Sequence, residues 1–166
     1  YKYNIMSLKL IEIQNGKLVF NKDNLMKVVQ QIPENIPIKT IGIVGPFRSG
    51  KSFLMNLICN NFKKDHDIPE NEQEYFVENN FRSQSGTESV TKGIDIYQEP
   101  IITHNEDKKI AIILLDTPGL FDTNTDQYST ITIFGITTLI SSYLIYNIDK
   151  RIQEDTLQNL AVFTEY

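Results

Sequence analysis

Positions 45 to 52 read Gly45-Pro46-Phe47-Arg48-Ser49-Gly50-Lys51-Ser52, which satisfies the pattern G-x-x-x-x-G-K-[ST]. The chemistry this run performs is polyphosphate recognition. Its two glycines let the backbone turn tightly and approach phosphate oxygens. The N–H groups of the stretch from Gly45 through Phe47, Arg48, Ser49, Gly50, Lys51 and Ser52 to Phe53 then form an inward-facing anion nest, reinforced by the positive end of the following helix. Lys51 reaches the β- and γ-phosphates, and Ser52 offers its hydroxyl to Mg²⁺. A chance match in a chain this long has a probability on the order of 1%, and the position between an apolar strand and an amphipathic helix lowers it further. A second signature, Asp116-Thr117-Pro118-Gly119, follows the apolar run Ile110 to Leu115. A carboxylate at the end of such a strand is placed to hold Mg²⁺ through water. Gly119 lets its N–H approach the γ-phosphate, so the loop after it can sense the group that hydrolysis removes. Between the two signatures a threonine should close over the metal, and spacing leaves Thr87 and Thr91 equally eligible.

These residues need elements to hold them. Leu8 to Ile13 and Lys17 to Phe20 flank Asn15-Gly16, a pair that tolerates positive φ and so predicts a hairpin. Asn24 to Gln31 has helical periodicity, with Asp23 or Asn24 as the cap. Thr40 to Val44 is short and β-branched, as a buried strand should be. Phe53, Leu54, Leu57 and Ile58 recur at helical spacing. The polar stretch Lys63 to Glu78 predicts a surface loop or exposed helix, and Phe81 to Gly93 a loop. Ile94 to Thr103, Ile110 to Leu115 and Tyr143 to Ile148 read as strands, with a turn at Asn105-Glu106-Asp107 and a polar, flexible stretch from Thr117 to Thr130. Ile131 to Ser142 fits strand by its β-branching and helix by its spacing. Asp149 is placed to cap a last helix. Strands alternating with helices predict a parallel α/β sheet with helices on both faces.

Composition excludes several classes. The 166 residues fit one domain. A net charge of −5 with scattered Lys and Arg argues against nucleic acid, which needs concentrated basic surface. The single cysteine, Cys59, cannot form an internal disulfide and reads as packed. His66 and His104 have no ligand-spaced partners and read as surface residues, and Asp122 and Asp126 as turn residues. No apolar run is long enough to span a bilayer.

Phe47-Arg48-Ser49-Gly50-Lys51-Ser52-Phe53-Leu54-Met55-Asn56, together with Thr91-Lys92-Gly93-Ile94, resembles the phosphate loop and first switch of the atlastin and guanylate-binding-protein superfamily of large GTPases. Tyr146-Asn147, Gln153-Glu154-Asp155 and the stretch from Leu157 through Phe163-Thr164-Glu165-Tyr166 look more like the atlastin branch. The resemblance implies that Thr91 is the Mg²⁺-binding threonine and that Ile131 to Ser142 is helical. It also implies that Arg48 is an internal arginine finger, folded onto the phosphates when two G domains pair. Leu120 stands where small GTPases carry a water-orienting Gln. By the same resemblance Ser89 and backbone groups take that task.

The expectation is therefore a Ras-like phosphate-loop fold of three layers, with a mainly parallel central sheet and an N-terminal hairpin. Residues 1–37 would precede the G-domain core and 38–166 would form it, with the last strands and the base-reading motif lying beyond Tyr166. The expected reaction is Mg²⁺-dependent hydrolysis of GTP in a nucleotide-dependent homodimer. By resemblance it would work at the cytosolic face of an intracellular membrane such as the endoplasmic reticulum, or in the cytoplasm, touching membrane only through segments outside these residues. The competing readings are a nucleotide-gated assembly module with little turnover and an ATP-using enzyme such as a kinase.

Overall fold

The computed structural model describes residues 6–63, 80–82, 93–105, 108–120, 127–148 and 161. Strand β1 (Ser7–Gln14) turns into β2 (Lys17–Phe20) and is followed by α1 (Lys22–Val29), β3 (Ile38–Val44) and α2 (Lys51–Lys63). Next come β4 (Ile94–Tyr97), β5 (Ile101–Asn105), β6 (Lys108–Asp116), α3 (Gln127–Ile140) and β7 (Tyr143–Tyr146). The strands make one seven-stranded sheet in the order β2-β1-β4-β6-β3-β7, with β5 also paired to β6.

The sheet is mixed, not mainly parallel. Among the described strands, parallel pairing is confined to β3 with β6 and β3 with β7. The other pairs of these strands are antiparallel. The reason is local. A hairpin turn can only reverse a strand; Asn15-Gly16 joins β1 to β2 in this way. Strands β5 and β6, which pair antiparallel, are separated by residues 106 and 107, which lie outside the described residues together with the turn expected there. Asn15 and Gly16 take φ of 52° and 72°. The expected single strand from Ile94 to Thr103 is divided at Gln98 to Pro100, because Pro100 has no N–H for the ladder. Its halves, β4 and β5, pair with opposite ends of β6 along one edge. The hairpin extends the sheet beyond β4 by antiparallel pairing of β1, with a register shift between Lys9 and Ile11.

Both faces of the sheet are covered. Ile113 and Leu115 of β6 face a core with Leu10, Val28 of α1 and Ile133 of α3. Ile112 and Leu114 face the other way, onto Met55 and Cys59 of α2, Phe81 and Tyr97. This alternation within one apolar run is why β6 shows no polar period: each side of it has a helix layer to bury against. Helix α1 starts two residues earlier than its apolar spacing suggests. Its cap is Asn21, whose side chain accepts from the N–H of Asn24 at 3.0 Å, so neither Asp23 nor Asn24 plays that part. The segment from Ile131 belongs to α3, and Thr137 settles into it by donating its hydroxyl to the Ile133 carbonyl at 2.7 Å. The stretch from Thr117 is not uniformly flexible: Thr117 and Leu120 are buried, and α3 already begins at Gln127. Asp122, Asp126, Asp149, His66 and the stretch 64–79 lie outside the described residues, as does the side chain of His104. Among the described residues no helix is long and apolar enough to cross a membrane.

Candidate phosphate-binding site

The loop from Gly45 to Gly50 joins the end of β3 to the first residue of α2, at the C-terminal edge of the strands where open α/β sheets bind ligands. Gly45, Arg48 and Gly50 all have positive φ, 153°, 61° and 82°. A Cβ on Gly45 would meet the Asn147 carbonyl oxygen at 2.0 Å, so only glycine fits where the loop leaves the sheet. The Ser49 N–H donates to the Pro46 carbonyl at 3.3 Å, and the Leu54 N–H to Gly50 at 2.9 Å, which closes the first turn of α2. Lys51 turns back over this loop and donates to the Pro46 carbonyl at 2.8 Å. Burial pulls its pKa down to about 8, with the Asp116 carboxylate pulling the other way. At neutral pH it therefore remains mostly a cation, held at the mouth of the nest.

Asp116 ends β6 and is fully buried. Ser52 donates its hydroxyl to the Asp116 Oδ2 at 2.6 Å. Thr117 donates to the Ile43 carbonyl at 2.6 Å, which ties this strand end to β3. Burial is the main cause pushing the Asp116 carboxyl up to about 7. The Ser52 hydroxyl opposes this, Asp95 adds to it, and Lys51 and the Thr117 N–H oppose it. Asp95 is the cross-strand partner of Asp116 and of Lys9, so the three side chains share one sheet face. The Lys9 Nζ lies 2.5 Å from Asp95 Oδ1. Burial still raises the Asp95 carboxyl above its ordinary range, with Lys9 opposing.

The second signature is joined to the loop itself. The Leu120 N–H donates to the Gly45 carbonyl at 3.0 Å, and the Leu120 carbonyl accepts from the Phe47 N–H at 3.2 Å. A Cβ on Gly119 would come within 2.5 Å of the Phe47 Cα. Gly119 is thus required for close packing in addition to any contact with phosphate. Leu120 is buried and has no group that could orient water.

The structure brings together Gly45, Phe47, Arg48, Ser49, Gly50, Lys51, Ser52, Asp116 and Gly119. Phe53 follows on α2 with its ring half-exposed, so its contribution to a nest is limited to its backbone. Arg48 is exposed at the loop tip, its guanidinium carbon 5.2 Å from the centre of the Phe47 ring. Thr87, Ser89 and Thr91 lie outside the described residues. Two further residues at the site, Asp95 and Asn147, belong to neither signature. Asp95 was signalled only by being a charge inside the apolar strand Ile94 to Tyr97. Asn147, quoted only for resemblance, donates its side-chain amide to the Ser49 carbonyl at 2.7 Å.

A phosphate loop, a buried carboxylate bonded to its serine and a three-layer sheet define a phosphate-loop nucleotide-binding α/β domain. Comparison with known proteins narrows this class. The family model for the guanylate-binding protein N-terminal domain matches residues 15–166. Atlastin-1 of Bos taurus is 35% identical over 130 residues, covering 78% of this chain and 23% of that protein. Atlastin-1 of Mus musculus is 33% identical over 140 residues, 84% of this chain and 25% of the relative. Atlastin-2 of Homo sapiens is 34% identical over 146 residues, 84% and 24%. The chain belongs to the guanylate-binding protein N-terminal domain family, as an atlastin-like GTPase domain. It spans about a quarter of the length of these relatives.

Proposed function

We propose that this domain hydrolyses GTP to GDP and phosphate in a Mg²⁺-dependent reaction coupled to pairing of two G domains. The observation that carries the reading is the 2.6 Å bond between Ser52 and Asp116: two hard oxygen donors from the ends of different elements, beside the phosphate loop and its buried lysine. Such a donor set suits Mg²⁺. Ser52 and Asp116, with Thr91 as the third member, would hold the ion, and when bound it would offset charge on the β- and γ-phosphate oxygens. Lys51 neutralises the same oxygens. The backbone N–H groups of the loop orient the phosphates, and Gly119 offers its N–H to the γ-phosphate.

Because Leu120 cannot align the attacking water, that task falls to Ser89 and backbone groups. Arg48 starts from an exposed loop tip and folds over the phosphates when a second G domain docks, stabilising the transferring phosphoryl group. In the longer protein the cycle drives membrane remodelling at the cytosolic face of the endoplasmic reticulum. Residues 1–37 act as an edge addition to a core formed by 38–166. The atlastin likeness supports guanine as the base and a homodimer as the working state.

Phosphate release from GTP and ATP by the intact protein, measured at several protein concentrations, tests this. GTP should be preferred, specific activity should rise with concentration, and Arg48→Ala should lower kcat by about 10³-fold or more. Tight GTP binding with negligible turnover, indifferent to Arg48, would instead make the domain a nucleotide-gated assembly module, and ATP preference would make it a different phosphate-loop enzyme.

A further inference from the structure

The two ends of the phosphate loop are fastened by one residue at the end of the neighbouring strand β7. Strand β7 runs parallel to β3, with Val44 opposite Tyr146. The next residue, Asn147, donates its N–H to the Val44 carbonyl at 2.7 Å. Its own carbonyl lies against Gly45 so closely that no side chain fits there. Its side-chain amide then crosses the loop and donates to the Ser49 carbonyl at 2.7 Å. The backbone of Asn147 therefore defines where the loop begins, and its carboxamide defines the orientation of the last peptide before the Gly50-Lys51 step. In a trans peptide the C=O and the following N–H point in opposite directions. Holding the Ser49 carbonyl outward onto Asn147 turns the Gly50 N–H to the other side, into the concave face of the loop. Gly50 accommodates this at φ 82°.

We infer that Asn147 is a positioning residue for nucleotide binding, whose carboxamide aims the Gly50 N–H at the phosphates. This rests on the nucleotide-binding reading of the loop. The contact concerns the loop before any chemistry, so it acts on GDP and GTP alike and on affinity instead of turnover. A neighbouring hydroxyl does not share the work: the Ser49 Oγ is buried with no hydrogen-bond partner among the described residues.

The test is the affinity of the intact protein for mant-GDP with Mg²⁺, for wild type, Asn147→Ala and the isosteric Asn147→Asp. Removing the amide should weaken mant-GDP by about tenfold and raise the KM for GTP by the same factor, with kcat little changed. At pH 7.5 the aspartate, an acceptor facing an acceptor, should bind more weakly than the alanine. As the pH is lowered toward about 4, the ordinary aspartate range, protonation restores a donor, and its affinity relative to wild type at each pH should recover. Wild-type binding with both variants within about twofold of it overturns the inference. So do variants that lose thermal stability and kcat with unchanged affinity, or an aspartate variant whose relative affinity ignores pH. If wild type itself fails to bind mant-GDP, the reading of the site falls, and this inference with it.

Discussion

Arg48 carries two separable properties, a guanidinium and a left-handed backbone. A non-glycine residue at φ 61° costs about 1 kcal/mol relative to glycine. Arg48→Ala removes the guanidinium and keeps the strain, whereas Arg48→Gly removes both. Both variants should lose turnover alike, but the glycine variant should be more stable by about 1 kcal/mol in denaturant melts. Equal stabilities would mean that the loop tip relaxes and that position 48 stores no strain. Asp116 makes a second prediction. Its carboxyl is pushed from 3.8 to about 7 in the native domain, so between those values the native state holds a proton that the unfolded chain has lost. Stability of the metal- and nucleotide-free protein must then fall as the pH rises through this window. Thermal melts from about pH 4.5 to 7.5 should show that slope, and Asp116→Asn should flatten it. An unchanged slope in the variant would assign it to other groups, Asp95 first.

Among the elements, β1 matters most for the site relative to what its sequence suggests. It belongs to a hairpin at the sheet edge, yet it delivers Lys9 to Asp95 and so places a cation one residue across from the carboxylate beside Ser52. Lys9→Met leaves Asp95 buried without its ion-pair partner, which should cost on the order of 2–3 kcal/mol because Lys9 itself is only partly buried. Combining it with Asp95→Asn should cost less than the sum of the two single changes. Strict additivity in urea melts would show that the pair does not interact.

The elements also show what could be read in advance. The Asn15-Gly16 turn, the α2 periodicity and the β6 run are encoded in residues adjacent in sequence, so their types alone specify them. Asn21 as the cap of α1 is obscured because Asp23 and Asn24 are equally good capping types. The earlier start is selected by tertiary bonds, from the Asn24 amide to the Lys9 carbonyl at 2.8 Å and from the Asn21 N–H to the Leu10 carbonyl at 2.9 Å. The helix at Ile131 was ambiguous because β-branched residues satisfy either period. Its burial against the sheet, with Ile133 fully inside, is a property of the assembled layers.

At the scale of the whole molecule, the direction of the strands was the least legible feature. Alternation of strand and helix suggests parallel crossovers, but turns of a few residues override it wherever they occur, and here they produce an antiparallel half beside a parallel half. The phosphate loop and Asp116 sit in the parallel half, where both strands end at the same edge. Their motifs could be recognised because phosphate chemistry fixes residue types at close spacing. Asp95 and Asn147 could not, since each acts through a partner 21 or 98 positions away and neither position requires a distinctive local pattern.

The parallel pairing of β3 with β7 has a further consequence for how the protein is made. Synthesis proceeds from the N-terminus at about 5–20 residues per second. The phosphate loop therefore leaves the ribosome several seconds before the strand that fastens it, and before Asp116 as well. During that interval the loop is a glycine-containing segment with no fixed anion nest, and cellular nucleotide has nothing to hold. If Asn147 aims the loop as inferred above, binding competence cannot precede the moment when Asn147 has emerged and docked beside Val44.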